Sequence, residues 1–178
     1  MTARKNIAHD IVVESLAEAL LQLMEKKPFS DISISELCTR AGVGRVSFYR
    51  NYDNMQDILS DYLTKCTDEW WAEFIQHPQE YFRDHFWSEL LEQYRKNERL
   101  ISLIYQNDLS YIIKNHIFSC CGPKPEHDEK TALLCAMLAG MIYGLVDEWI
   151  RRGMPELNNI FDIQKLIQYI NQEGLILL

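Results

Sequence analysis

Apolar residues recur at intervals of three and four along nearly all of the 178-residue chain, and no run alternates apolar with polar for more than a few positions. That spacing keeps side chains on one helix face, whereas a strand needs a spacing of two. The fold class is therefore all-α, and the punctuation divides the chain into about nine helices. Ile7, Ile11, Val12, Leu16, Ala19, Leu20 and Leu23 stripe the first, which ends before Pro28. Ser33 opens the second as N-cap with Glu36 three residues on, and Gly42 closes it. A short third helix runs from about Arg45 to Asn51. Asp53 with Gln56 caps the fourth, whose apolar ladder is Ile58, Leu59, Tyr62, Leu63, Cys66, Trp70 and Phe74 and whose end is Pro78.

Phe82, Phe86, Leu90 and Tyr94 stripe a fifth helix that breaks near Asn97; Leu100 to Tyr105 and Leu109 to Phe118 read as two more. The segment from Cys120 to His127, with Gly122, Pro123 and Pro125, reads as a loop. A long helix follows from about Asp128 to Arg152, stopped by Gly153 and Pro155. The last helix carries Ile163, Leu166, Ile167 and Ile170 on one face. In the long helix Ala132, Ala136, Gly140 and Gly144 recur every four residues, with Leu133, Met137 and Met141 beside them. Small side chains at that spacing let another helix approach closely, and the residues alone leave open whether it belongs to the same subunit or to a second one.

The net charge of −8 argues at first against nucleic acid, but the charge is unevenly placed. Residues 1–52 hold seven Lys and Arg against six Asp and Glu, which leaves eleven against twenty for the remainder. A less acidic head on an acidic body suits a protein that touches nucleic acid at one end. The apolar stretch Ala132 to Val146 falls short of the roughly 18 to 20 residues that cross a bilayer, and the N-terminus has no apolar h-region, so the expected location is cytoplasmic with no membrane partner. Five cysteines without CxxC or zinc-finger spacing suit a reducing compartment.

Catalysis finds little support. No P-loop, GxSxG, HExxH or dinucleotide glycine motif is present, so neither catalytic residues, nor a metal, nor a cofactor is expected. His9, His77, His85, His116 and His127 read as ordinary surface or satisfied core histidines. Trp70 and Trp71 beside Asp68 and Glu69 suggest a sugar platform, against the plainer reading of one core tryptophan and one edge tryptophan. Cys120 and Cys121 would suit a thiol or soft-metal sensor if the loop exposes them, but they lack further ligands.

The second and third helices around a glycine turn, braced on the first, have the outline of a helix-turn-helix. In the third, Phe48 and Tyr52 pack inward with Val43, which turns Arg45, Tyr49 and Arg50 outward. Arginine forks onto guanine or phosphate, while hydroxyls and amides bond backbone oxygens. The run from Lys27 to Met55, with Ala41-Gly42-Val43 followed by Phe48-Tyr49-Arg50-Asn51-Tyr52, resembles the DNA-binding domain of the TetR/AcrR family of transcriptional regulators. The resemblance covers about the first 60 residues; beyond them only the helix order is similar.

The resemblance implies a DNA-binding domain over residues 1–53 and an effector-binding, dimerising domain over 54–178. It places Ser33 at a phosphate, Arg45, Val46, Ser47 and Arg50 at bases, Tyr49 at backbone phosphate, Asn51 where a histidine is frequent, and Arg4 and Lys5 in a basic arm. Gly44 replaces the usual serine-like cap, and Met55 stands where a phosphate-binding lysine is common, so a shallow salt dependence is expected. A homodimer interface is implied at Ala136, Gly140, Gly144, Ile163, Ile167 and Ile170. An effector pocket would draw on Trp70, Phe74, Phe86, Trp87, Tyr105, Tyr111 and Tyr143, although most such rings serve as core. The function expected is a dimeric repressor of a palindromic double-stranded operator, released by a small molecule. The alternative is a helical adaptor whose helix-turn-helix domain binds protein.

Overall fold

The computed structural model describes residues 2–76 and 86–156, with side chains from residue 11 onward except 74 and 75. These residues form eight α-helices and no strand. They are α1 (Thr2–Met24), α2 (Ile34–Ala41), α3 (Arg45–Asn51), α4 (Met55–Gln76), α5 (Phe86–Lys96), α6 (Glu98–Gln106), α7 (Tyr111–Cys121) and α8 (Glu129–Arg151), with a 3₁₀ turn at Phe29–Asp31. Order and number agree with the first eight helices read from the sequence. The ninth, with Ile163, Ile167 and Ile170, lies outside the described residues, as does Phe82.

The head packs α2 and α4 on α1, and α3 on α2. Leu16, Ala17, Leu20 and Leu21 of α1 are fully or almost fully buried, whereas Ile11 is 58% exposed and leaves the expected core stripe. Ser33 Oγ accepts from the Glu36 amide at 3.2 Å, so α2 starts where a capping residue was expected. It ends in a Schellman turn, with Val43 N–H donating to Cys38 O and Gly42 N–H to Thr39 O. Gly42 takes φ 65°, a left-handed conformation that costs glycine nothing. The cap of α4 is one residue later than expected. Asn54 Oδ1 accepts from Asp57 N–H at 3.0 Å and Asn54 N–H donates back to Asp57, a reciprocal box that Asp53 and Gln56 do not make.

In the body α4 packs on α7 and α5, and α7 on α8. The core line of α4 runs Leu59, Leu63, Thr67 and Trp71, not through Cys66 and Trp70. A polar residue sits on the ladder because its hydroxyl is satisfied there. Thr67 Oγ1 donates to Leu63 O at 3.0 Å and lies 2.8 Å from His116 Nε2. Cys120 and Cys121 are the last residues of α7 instead of loop residues. The helix stops at Gly122, where a Cβ would stand 2.4 Å from the Phe118 carbonyl oxygen.

Among the described residues α8 alone is long and apolar enough to cross a bilayer by length and composition. Charged residues within α8 lie at its ends, Glu129 and Lys130 first and Asp147, Glu148 and Arg151 last, so the helix exceeds its uncharged stretch. Its inner face, Ala139, Ile142, Val146, Trp149 and Ile150, is buried in the core of the body. The opposite face carries Leu133, Leu134, Met137 and Met141, all more than half exposed, with Gly140 and Gly144 exposed between them. Among the described residues nothing packs closely on this stripe, since a Cβ at Gly140 or Gly144 would meet nothing within 4 Å.

Candidate nucleic-acid interface

The third helix owes its orientation to two side chains. Phe48 is fully buried and Tyr52 nearly so, their rings 6.2 Å apart, and they pin α3 to the head. The same pinning leaves Arg45, Val46, Tyr49 and Arg50 exposed, Val46 at 74%. Seven residues make about two turns, so a helix this short presents one inner and one outer face. Gly44 offers no side-chain cap, as expected, and the first amides of α3 have no side-chain acceptor there.

Charge pairing sorts the cations of the head. Lys27 is bound to Glu36 and Arg40 donates to Gln22, whereas Arg45 and Arg50 enter no ion pair among the described residues. Lys27 is also the main reason the Glu36 carboxyl lies below its ordinary range. Ser33 accepts the α2 amide through a lone pair, so its O–H proton remains available for an anion. Asn51 is less available, because its amide donates to Ser47 O at 2.6 Å. Met55 is half-buried against the core instead of facing outward. Arg4 and Lys5 belong to the first turns of α1 and not to a separate arm.

Behind α3 lies an open cleft of about 530 Å³ walled by Tyr49, Arg50, Asn51 and Tyr52 on one side and by Asp53, Asp57, Ser60, Asp61 and Thr64 on the other. Tyr52 donates to Asp61 Oδ2 at 2.8 Å, and burial together with that carboxylate pushes the phenol well above its usual range. Three aspartates repel phosphate, so the cleft marks the edge of any anion-binding surface. A phosphate backbone is favoured only on the side of α3 that presents Arg45 and Arg50.

The aromatic residues expected around an effector do not form one group. Trp70 lies 5.8 Å from Phe86, which lies 4.8 Å from Trp87, in a cluster between α4 and α5. Tyr105 and Tyr143 instead both donate to Asp147, at 2.7 and 3.3 Å. Tyr105 also walls a separate cleft of about 420 Å³ with Glu98, Arg151 and Met154. Tyr111 is 45% exposed at the start of α7, and the side chain of Phe74 lies outside the described residues.

Among the polar groups of the body, His116 is a satisfied core histidine, one of the two readings its sequence allowed. His116, 5% exposed, has Nε2 on Thr67 and Nδ1 3.4 Å from Thr64 Oγ1, and burial lowers its pKa from 6.5 to about 4, partly offset by Asp68. Tyr94 is completely buried, and its hydroxyl has no hydrogen-bond partner among the described residues. The Cys120 and Cys121 thiols, which exposure would have suited to sensing, are pushed up by burial to about 11 and about 12. At neutral pH they are protonated and poor nucleophiles.

The fold is thus all-helical, with a helix-turn-helix at one end and a larger helical body among the described residues. Residues 16–62 match the family model described as Bacterial regulatory proteins, tetR family. The N-terminal part of the chain accordingly carries a TetR-type helix-turn-helix DNA-binding domain. Among solved structures, that of Lin0861 from Listeria innocua is 18% identical and matches with a TM-score of 0.65 over 93% of this chain and 92% of that one. At that identity the match shows the fold alone. No curated protein matches the chain.

Proposed function

We propose that the protein is a homodimeric repressor that reads a palindromic operator through α3 of each subunit and leaves it when a small molecule binds the body. The head comprises residues 1–53 and the body 54–178. The carrying observation is the orientation of α3: with Phe48 fully buried, the face holding Arg45, Val46, Tyr49 and Arg50 is exposed. Arg45 and Arg50 supply forked donors for guanine or phosphate, Ser47 a hydroxyl, and Val46 the methyl groups that match a thymine methyl. Tyr49 and Ser33 offer hydroxyls to the backbone.

Dimerisation is supported by the outer face of α8, where four apolar side chains flank Ala136, Gly140 and Gly144. Exposed apolar patches of this kind mark contact surfaces. Ile163, Ile167 and Ile170 would complete the interface. A two-fold dimer places two recognition helices about 34 to 36 Å apart, one turn of B-DNA. For the effector, the Trp70, Phe86 and Trp87 cluster lies against α4, the helix that leaves the head. The orphaned Tyr94 hydroxyl offers a donor to a mostly apolar ligand. A DNA-binding regulator of bacterial type would work in the cytoplasm.

The test is a fluorescence-anisotropy titration with duplexes flanking the protein's own gene, followed by footprinting. Sequence-selective binding lost on adding a small molecule is the expected result. Absence of binding at low salt would overturn the repressor and favour an adaptor that docks on protein.

A further inference from the structure

The head is attached to the body in two places. One is α4 (Met55–Gln76), which follows the head directly in the chain and packs along α1, where Lys65 pairs with Glu14. The second attachment comes from α6, far along the chain, which packs on α1 and adds hydrogen bonds and ion pairs from two side chains.

Asn107, just past the end of α6, accepts the Phe29 N–H on Oδ1 at 2.7 Å across a separation of 78 residues. Phe29 begins the 3₁₀ turn that leads into α2, and the residue before it, Pro28, provides no side-chain cap. The first amide of a helical turn has no partner of its own, so a side chain from the body caps the entry to the helix-turn-helix. Asn107 is itself held in register, because its Nδ2 donates to Leu103 O at 2.8 Å and fixes which way the amide oxygen points. About two turns earlier, Arg99 forks onto Glu18 at 2.8 Å and Glu25 at 2.6 Å, gripping α1 and the residue that follows it. Exposed ion pairs contribute little individually. Here the fork fixes a direction that the part-buried amide bond then closes.

We infer that Asn107, assisted by Arg99, is a positioning joint through which α6 sets the angle of the DNA-reading head on the body. The inference rests on the proposal of a dimeric reader and adds a second lever to it, since a shift of α6 moves the head without any bend in α4. A joint of this kind matters when both heads must meet one duplex in register and is irrelevant to one head on one half-site. Its loss is therefore read in spacing selectivity and not in the affinity of a head for DNA.

The experiment compares the wild-type dimer with Asn107→Ala and Arg99→Ala on three duplexes: the footprinted operator, the same half-sites with two base pairs inserted between them, and a single half-site. Helical circular dichroism and unchanged half-site affinity show that the variant heads fold. Asn107→Ala should weaken the operator about tenfold while leaving the other two duplexes almost unchanged, so that the spacing preference flattens. Arg99→Ala should act in the same direction and less. Hydrogen exchange at the Phe29 amide, which needs no DNA, should be slow in the wild type and at least about tenfold faster in Asn107→Ala. A variant that keeps the wild-type spacing preference, one that loses half-site affinity equally, or an unprotected Phe29 amide in the wild type overturns the joint. A wild type without spacing preference overturns instead the dimeric reader, and the joint's role with it.

Discussion

Replacing Gly140 by leucine separates the two sides of the proposed dimer by sign. Among the described residues of one subunit the position is open, since a Cβ built there meets nothing within 4 Å. Inside the subunit the substitution removes a glycine from the middle of α8, a change worth about 0.5 to 1 kcal/mol in favour of the helix. Between subunits it does the opposite. Extra methylenes in a closely packed contact cost about 1 to 3 kcal/mol, and a two-fold interface carries the residue twice, so association should lose about 2 to 6 kcal/mol. At about 1.4 kcal/mol per factor of ten, the dimer weakens by at least about thirtyfold. Sedimentation over a hundredfold range of concentration reads the dissociation, and circular dichroism at each concentration reads the helix. The expected outcome is a helical monomer that melts no earlier than the wild-type chain does when diluted to monomer. An unchanged dimer refutes the placement of the interface on this face, and a destabilised monomer refutes the reading of Gly140 as open.

Arg45→Ala and Arg50→Ala should each cost about 1 to 3 kcal/mol at one operator base pair and relax selectivity there if the contact is to a base, as footprint-directed base substitution will show; affinity equal to wild type in both would remove α3 from the interface. Tyr49→Phe should weaken operator and unrelated duplexes alike with no change in melting temperature, because the 52% exposed residue loses only a hydroxyl. For His116, the folded pKa of about 4 lies below the ordinary 6.5, so the unfolded chain binds the extra proton between those values. Its contribution, on the order of 3 kcal/mol, is complete above about pH 6.5 and disappears as the pH falls through about 4. Urea melts of wild type and His116→Gln at pH 7 and pH 4.5 should show a steeper acid loss for the wild type, and parallel losses would contradict the burial argument.

What the sequence determined by itself is whatever depends on neighbours in the chain. The order of the first eight helices, the Ser33 cap and the Gly42 turn follow from spacings of three and four and from local hydrogen bonding, which short-range residues decide. The outward set on α3 was legible for the same reason: once Phe48 and Tyr52 face inward, the helical period places Arg45, Tyr49 and Arg50 outside. Tertiary structure decided the rest. Thr67 entered the core because His116, 49 residues away, accepts its company, and no periodicity rule admits a threonine between Leu63 and Trp71. Which side of α8 faces the core was likewise a tertiary matter: Ala139, Ile142 and Val146 turn inward, and the stripe of Gly140 and Gly144 meets no other described residue. Asn107 and Arg99 carried no local signal, since an asparagine after a helix is ordinary chain punctuation. Only the approach of α6 to the 3₁₀ turn gave that amide oxygen a donor to bind, 78 residues upstream.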